Sequence, residues 1–308
     1  MPQSLVSPSQ RSLKIGTISY FGATFFWGMN IPLTAVLLST WDPYFLALIR
    51  VLLATVTFAI VVLISENQGL RVVGISLGRL CLAGGAFACF LLLYNMGLKF
   101  SDPITAAAIM AGTPVYAAIT LRLVTGSPLE KGFVVAATLT VVGGAIALFA
   151  GQEKTASAGV RGGEVFILLS FVFWNLYTIA TQRWFEASIS QLRRTMSCFA
   201  VASVWIALGW VMLRWSGIAP EPNLEPGTTA IALLFITATL ATAGGVLLWN
   251  IGVAQIGLAT GSLWQNMVPI FGVLIAALLG FIPSMGQVVG GLVVLSGVLW
   301  MQWKKSTT

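Results

Sequence analysis

YNMGLKFSDPITAAAIMAGTP occupies residues 94–114, and WNIGVAQIGLATGSLWQNMVP occupies residues 249–269. A shift of 155 residues places Asn95 on Asn250, Gly97 on Gly252 and Pro114 on Pro269. Tyr94 then falls on Trp249. One fixed offset thus aligns the end of an apolar run, a connection, and the proline of the next run. That is an internal repeat, and it sets the topology expected of the whole chain.

The chain around these two stretches has 308 residues, 57% hydrophobic and 8% charged. Its mean hydropathy is +0.93. A soluble domain carries about 25% charged residues. The charges here fall between long apolar runs, close to the ~20 residues that a spanning helix needs. An outer-membrane barrel would instead show short alternating segments. Ten spans fit, at roughly 14–38, 43–64, 74–98, 103–122, 131–150, 163–183, 192–214, 229–251, 257–280 and 285–303. The run Leu13–Leu38 is too long for a signal-peptide core and lacks a small-residue cleavage pattern, so it reads as a retained helix.

The repeat divides these spans into two sets of five, 14–150 and 163–303, joined by a polar linker around 151–162. FFWGMN (25–30) resembles VFWNLY (172–177), and the glycine-rich VVGGAIAL (141–148) and LSGVLWM (295–301) close the halves. An odd number of spans forces the second copy to cross the membrane in the opposite direction. The expected fold is therefore all-α and integral to the membrane: ten transmembrane helices as two inverted five-helix repeats around a central cavity.

With the N-terminus inside, the inner segments hold 11 Lys and Arg residues and the outer ones 4, which places both termini in the cytoplasm. The net charge of +7 is spread over span ends without a stripe, so it argues for orientation and against a nucleic-acid partner. There is no His, which removes Ser-His and Cys-His catalysis, most zinc chemistry and a His proton relay. Cys81, Cys89 and Cys198 lie within apolar runs at no ligand-like spacing and read as buried small hydrophobes. No enzyme, metal or cofactor chemistry is expected.

Candidate site residues follow from the cost of polar groups in hydrocarbon. Trp27 and Asn30 share one helix face, Trp174 and Tyr177 repeat that spacing, and Asn175 stands beside them. Met110 precedes Pro114 by one turn, and Trp264 and Gln265 precede Pro269. Tyr94 and Trp249 are candidates to wall the two ends of the cavity. Pro32, Pro114 and Pro269 fall near the middles of spans 1, 4 and 9, as packing kinks or as hinges that free the carbonyls of Gly28, Met110 and Gln265. Arg50 is the one charge well inside a span, a carboxylate partner or a side chain that snorkels outward or caps carbonyls. All nine acids lie in loops or at span ends, so proton coupling is not expected. Trp41, Trp184, Trp215, Trp300 and Trp303 read as an interfacial belt. Asn95 and Asn250 read as ties between a span end and its own hairpin.

The two five-span halves, the paired prolines and the aromatic-plus-glycine span ends resemble the drug/metabolite transporter superfamily, in its EamA family. YNMGLKFSDPITAAAIMAGTPVY and LLWNIGVAQIGLATGSLWQNMVPIFG are most similar to its YddG-type branch of aromatic amino-acid exporters. The resemblance covers about 15–303. It implies a ten-helix basket whose cavity is lined mainly by helices 1, 3, 4, 6, 8 and 9. Many members place a Glu after the fourth or ninth span. Here Glu130 follows the fourth, but Pro283-Ser284 stands after the ninth. The implied function is export of amino acids, aromatic ones among them (Trp, Phe, Tyr, with Met and Thr), across a bacterial inner membrane; the inverted halves add alternating access, and the absence of acids and His within the spans adds facilitated diffusion. The alternatives are a small multidrug or quaternary-ammonium exporter and, from other classes, a passive channel or an intramembrane enzyme. The expected partners are a small-molecule substrate and the lipid bilayer; a monomer would suffice.

Overall fold

The structure is a computed structural model that describes residues 9–67, 69–101, 105–106, 109–110, 112–126, 132–151 and 162–306. The expected linker, and Asp102, Glu130, Lys131, Glu153, Lys154 and Arg161 with it, lie outside these residues. Among the described residues the chain is helical and without strands. The helices are α1 (Gln10–Leu37), α2 (Pro43–Ser65), α3 (Leu77–Lys99), α4 (Thr113–Thr125), α5 (Phe133–Gly151), α6 (Gly163–Arg183), α7 (Gln191–Trp215), α8 (Thr228–Ile236), α9 (Gly245–Gln265), α10 (Met267–Leu278) and α11 (Met285–Ser306). A π-helical stretch, Thr237–Gly244, links α8 to α9.

Five of these segments are long and apolar enough to cross a membrane: Pro43–Ser65, Leu77–Lys99, Gly163–Arg183, Gln191–Trp215 and Thr228–Ile256. Phe133–Ile146, Met267–Leu278 and Met285–Gly297 are shorter apolar helices. At 28 residues α1 is longer than most, but Ser, Thr, Tyr, Asn and Gly recur along it. Local signals set the ends. Asp42 caps α2, its carboxylate accepting from the amides of Tyr44 and Phe45, and Pro43 takes the first helical position, where a missing N–H costs nothing. Ser9 and Ser190 cap α1 and α7 in the same way.

Close packing pairs the helices. α3 lies antiparallel on α6, so that Gly97 meets Gly163 and Ile167 while Phe87 meets Tyr177. A Cβ on Gly163 would stand 2.5 Å from the Gly97 carbonyl oxygen, so only glycine allows this approach. α5 lies antiparallel on α11, through Gly143 against Gly290 and Leu139 against Gly297.

α1 takes both arms of a hairpin. Gly245 lies against Trp27, Gly252 against Tyr20 and Ile256 against Gly16; then Gly261 returns to Tyr20, Trp264 to Phe21, and Val268 and Phe271 to Gly28. The contacts run down α1 and come back up it. The chain therefore reverses between Ile256 and Gly261.

The prolines differ from expectation in two of three places. Pro32 sits inside α1 without ending it. Pro114, however, is in the first turn of α4, directly after the Gly112 turn, and Pro269 is in the first turn of α10, directly after the turn at Asn266. Neither interrupts a running helix. Each begins a new one, where its missing donor would have had no intrahelical partner.

Candidate functional site

The aromatic residues that the helices bring to the middle of the molecule build the wall of a cavity. From α1 come Trp27 and Asn30, from α2 Arg50, and from α3 Phe87, Phe90, Leu91 and Tyr94. Met110, Thr113 and Gln265 come from either side of the two helix breaks, and Val268 from α10. Phe171 and Trp174 of α6, Ala241 and Thr242 of the π stretch, and Val246 complete the lining. Trp27 meets Trp174 edge to face at 5.2 Å, and Trp174 lies 5.2 Å from Phe90. Such pairs favour tilted contacts because ring faces are negative and edges positive.

Arg50 is the charged group of this lining and is 1% exposed. It reaches neither the surface nor backbone carbonyls. Nη2 donates to Asn30 Oδ1 at 2.8 Å and to Thr242 Oγ1 at 3.0 Å; Nη1 donates to Thr34 Oγ1 at 3.0 Å and Asn95 Oδ1 at 3.4 Å. Nε has no partner. The acceptors come from α1, α3 and the π stretch, and all are neutral. Among the described residues no carboxylate pairs with this guanidinium; the ion pairs are Arg193 with Glu66 and Arg214 with Glu221. Taking an ion out of water costs several kcal/mol, which neutral hydrogen bonds offset only in part. The guanidinium is thus held in position and remains electrostatically unmatched, next to an apolar cavity.

Asn95 belongs to this network and donates to the carbonyl of Pro43. Asn250, its counterpart in the repeat, donates to Tyr177 Oη at 3.2 Å and Thr195 Oγ1 at 2.8 Å. Each Asn therefore ties its span to neighbouring helices, and not to its own hairpin, because at these depths the adjacent helices present the nearest polar atoms.

Below the cavity, away from Arg50, lies a closed aromatic layer. Trp249 is 1% exposed and packs on Tyr20, Trp27 and Trp174; Phe87 packs on Phe199 at 4.3 Å, and Phe199 on Phe58. Further along, Arg193 (2% exposed) pairs with Glu66 and donates to the carbonyls of Gly69 and Arg71, while Ser190 donates to the other Glu66 oxygen.

Of the residues singled out from the sequence, Trp27, Asn30, Arg50, Tyr94, Met110, Trp174 and Gln265 line the cavity. Tyr177 and Trp249 do not; both belong to the closed layer. Trp264 packs on Phe21 at the outside of α1, and Asn175 is half-buried off the lining, with its Nδ2 unpaired. Pro269 borders a separate apolar groove with Pro283 and Leu292. The sequence reading missed Phe87, Phe90, Phe171, Thr113 and Thr242. Phe87 and Phe90 carry the same i,i+3 aromatic spacing used for Trp174 and Tyr177, and would have been found by it. Thr242 had no such signal, since its position depends on the π stretch.

Three further expectations change. Trp41 is buried and donates to the carbonyl of Asn223, so it fastens a loop. Glu164 at the first turn of α6 is 7% exposed with Oε2 unpaired, so an acid at a span end need not be solvated. Cys198 is buried, but Cys81 and Cys89 are half-buried.

Comparison with known proteins gives the wider setting. The model of the EamA-like transporter family matches residues 14–149 and 161–303. An uncharacterized transporter YyaM of Bacillus subtilis (strain 168) is 29% identical over 212 residues, covering 67% of each chain. The uncharacterized transporter YrdR of the same organism is 23% identical over 296 residues, covering 93% of this chain and 91% of its own. A solved crystal structure at 17% identity covers 95% of this chain and 98% of its own, with a TM-score of 0.70, a likeness of fold.

Proposed function

The chain belongs to the EamA-like transporter family of multi-pass membrane proteins, and we propose that within it this protein exports amino acids, aromatic ones among them, by facilitated diffusion. The observation that carries the reading is Arg50: a buried, unpaired guanidinium at the edge of an aromatic cavity. A carboxylate is the substrate group that would complete it, by charge-assisted hydrogen bonds. Trp27, Phe90 and Trp174 offer the apolar wall that a large side chain needs. Asn30, Gln265 and the helix break before Met267 supply polar atoms for the ammonium and carboxylate.

The proposed architecture is ten spans in two inverted repeats. Its support is the pairing of helices. Exchanging the halves turns α3-on-α6 into the segment through Asn250 on α1, the second pair seen here, and leaves α5-on-α11 unchanged. The cavity lies between the halves, where such repeats place substrate. In a bacterial inner membrane, the charge distribution would put both termini in the cytoplasm.

A quaternary-ammonium substrate is disfavoured by the same residue, because it would meet a cation without a carboxylate nearby. The experiment is uptake of Trp, Phe, Met and Thr into proteoliposomes, with and without a pH gradient. Saturable, counterflow-capable flux that ignores the gradient is expected. Flux that requires the gradient would overturn the facilitator reading, and no amino-acid flux would overturn the substrate class.

A further inference from the structure

Trp249 and Asn250 lie one after the other in the closed layer, and each carries a polar atom with nothing to bond. Trp249 Nε1 has no acceptor and Asn250 Oδ1 has no donor. Both residues are at most 1% exposed. A buried group left unpaired is costly, and such groups in a folded protein call for an explanation. Two on consecutive residues, one a donor and one an acceptor, are not explained by packing, because Leu or Phe would fill the same space without the penalty.

The repeat supplies the comparison. At the shift of 155 residues Trp249 corresponds to Tyr94 and Asn250 to Asn95. Tyr94 lines the open cavity, and Asn95 holds Arg50 there. In the second alignment, of FFWGMN with VFWNLY, Asn30 corresponds to Tyr177. Asn30 binds Arg50, as Tyr177 binds Asn250. The Asn of each half is thus joined to the matching first-helix position, Asn95 to Asn30 through Arg50 and Asn250 to Tyr177 directly, one set bordering the cavity and one sealed near the end that carries Arg193 and Glu66.

We infer that Trp249 and Asn250, with Tyr177 and Thr195, form a second substrate subsite, reached from the Arg193–Glu66 face when the closed layer parts. It takes a zwitterion. The indole N–H donates to a carboxylate oxygen, and Asn250 Oδ1 accepts from an ammonium, while Asn250 Nδ2 keeps its bonds to Tyr177 and Thr195. The pairing is neutral, so it binds the substrate more weakly than the Arg50 subsite and releases it toward the cation. The inference rests on the carrier reading above.

Thiol accessibility tests it without reference to any substrate. Cys81, Cys89 and Cys198 are replaced by Ser, and Asn250→Cys and Tyr94→Cys are made separately in that background, with Thr195→Cys as the alternative to Asn250→Cys should that variant not insert. Sealed vesicles of each orientation are treated with a membrane-impermeant methanethiosulfonate. Asn250→Cys is expected to react from one face and Tyr94→Cys from the opposite face. No reaction of Asn250→Cys and Thr195→Cys from either face, or reaction from the same face as Tyr94→Cys, would overturn the subsite. Trp249→Phe keeps the ring and removes the donor. It is expected to raise the half-saturation concentration about fivefold on the Asn250 face and leave it unchanged on the Tyr94 face. Equal changes on both faces, or none, would count against it. A wild-type protein that moves no amino acid overturns the proposed function, while the labelling pattern still decides the subsite.

Discussion

Arg50 donates from Nη2 to Asn30 Oδ1 at 2.8 Å, across from α2 to α1, with no carboxylate in the network. The bond orients the guanidinium but does not neutralise it. Function and stability should therefore separate at this position.

Arg50→Met is expected to reduce amino-acid affinity by about 10- to 100-fold, the range of a lost hydrogen bond to a charged group at ~1.5–3 kcal/mol. Thermal stability should change little, since relief of the unmatched buried charge is offset by the acceptors of Asn95 and Thr242 that lose their donor. Arg50→Lys should bind between the two, because a compact ammonium cannot reproduce the forked geometry. Equilibrium binding and melting on the same preparations check both halves of the statement. Loss of fold in Arg50→Met would contradict the separation.

Trp27 and Trp174 meet edge to face in the lining. Trp27 is half-buried, and Trp174 is packed on all sides by Phe87, Phe90, Tyr177 and Trp249. Trp27→Leu should weaken Trp and Phe by about 2- to 12-fold, from aromatic contacts of ~0.5–1.5 kcal/mol, and Met by less. Competition of each amino acid against a labelled one measures the difference. Trp174→Ala is expected instead to lower stability by about 3–5 kcal/mol.

Gly28 lies where α1 crosses α10. A Cβ there would stand 2.4 Å from Phe271 Cβ and 2.9 Å from the carbonyl oxygen of Val268. Backbone cannot move aside as a flexible side chain can, so Gly28→Ala should cost about 1–3 kcal/mol. Gly78→Ala, where a Cβ meets nothing within 4 Å, is the control. Similar melting temperatures for the two would contradict the close crossing.

Glu66 joins α2 to Arg193 of α7, and the arginine is buried. Glu66→Gln strands that charge with two carbonyls and a weaker acceptor. A loss of about 1.5–3 kcal/mol is expected, the range of a hydrogen bond to a charged group. Arg214→Gln, facing the exposed Glu221, should change stability by no more than about 1 kcal/mol. Denaturation in mild detergent compares them.

Glu164 is buried at the first turn of α6 but lies outside the cavity lining. Glu164→Gln should leave flux and its indifference to a pH gradient unchanged. A variant that stops transport, or makes it respond differently to the gradient, would move proton coupling back into consideration.

The helical class and the long apolar runs are legible in one dimension, because hydrocarbon-length runs and the position of charges are properties of composition. The sequence also paired Asn95 with Asn250, since a repeat is visible there too. It placed Trp27, Asn30, Arg50, Tyr94, Met110, Trp174 and Gln265 among the candidates, all of which line the cavity, because polar and aromatic residues stand out against aliphatics. Which of the remaining candidates share that space is a matter of packing. Tyr177 and Trp249 have the right chemistry and depth along their helices, yet face the closed layer, since rotation and crossing are set by glycine contacts such as Gly97 with Gly163. Thr242 reaches Arg50 through a π-helical register that periodicity does not encode. Pro114 and Pro269 were legible as prolines, but whether each kinks a helix or opens one depends on where the preceding turn breaks, which packing settles.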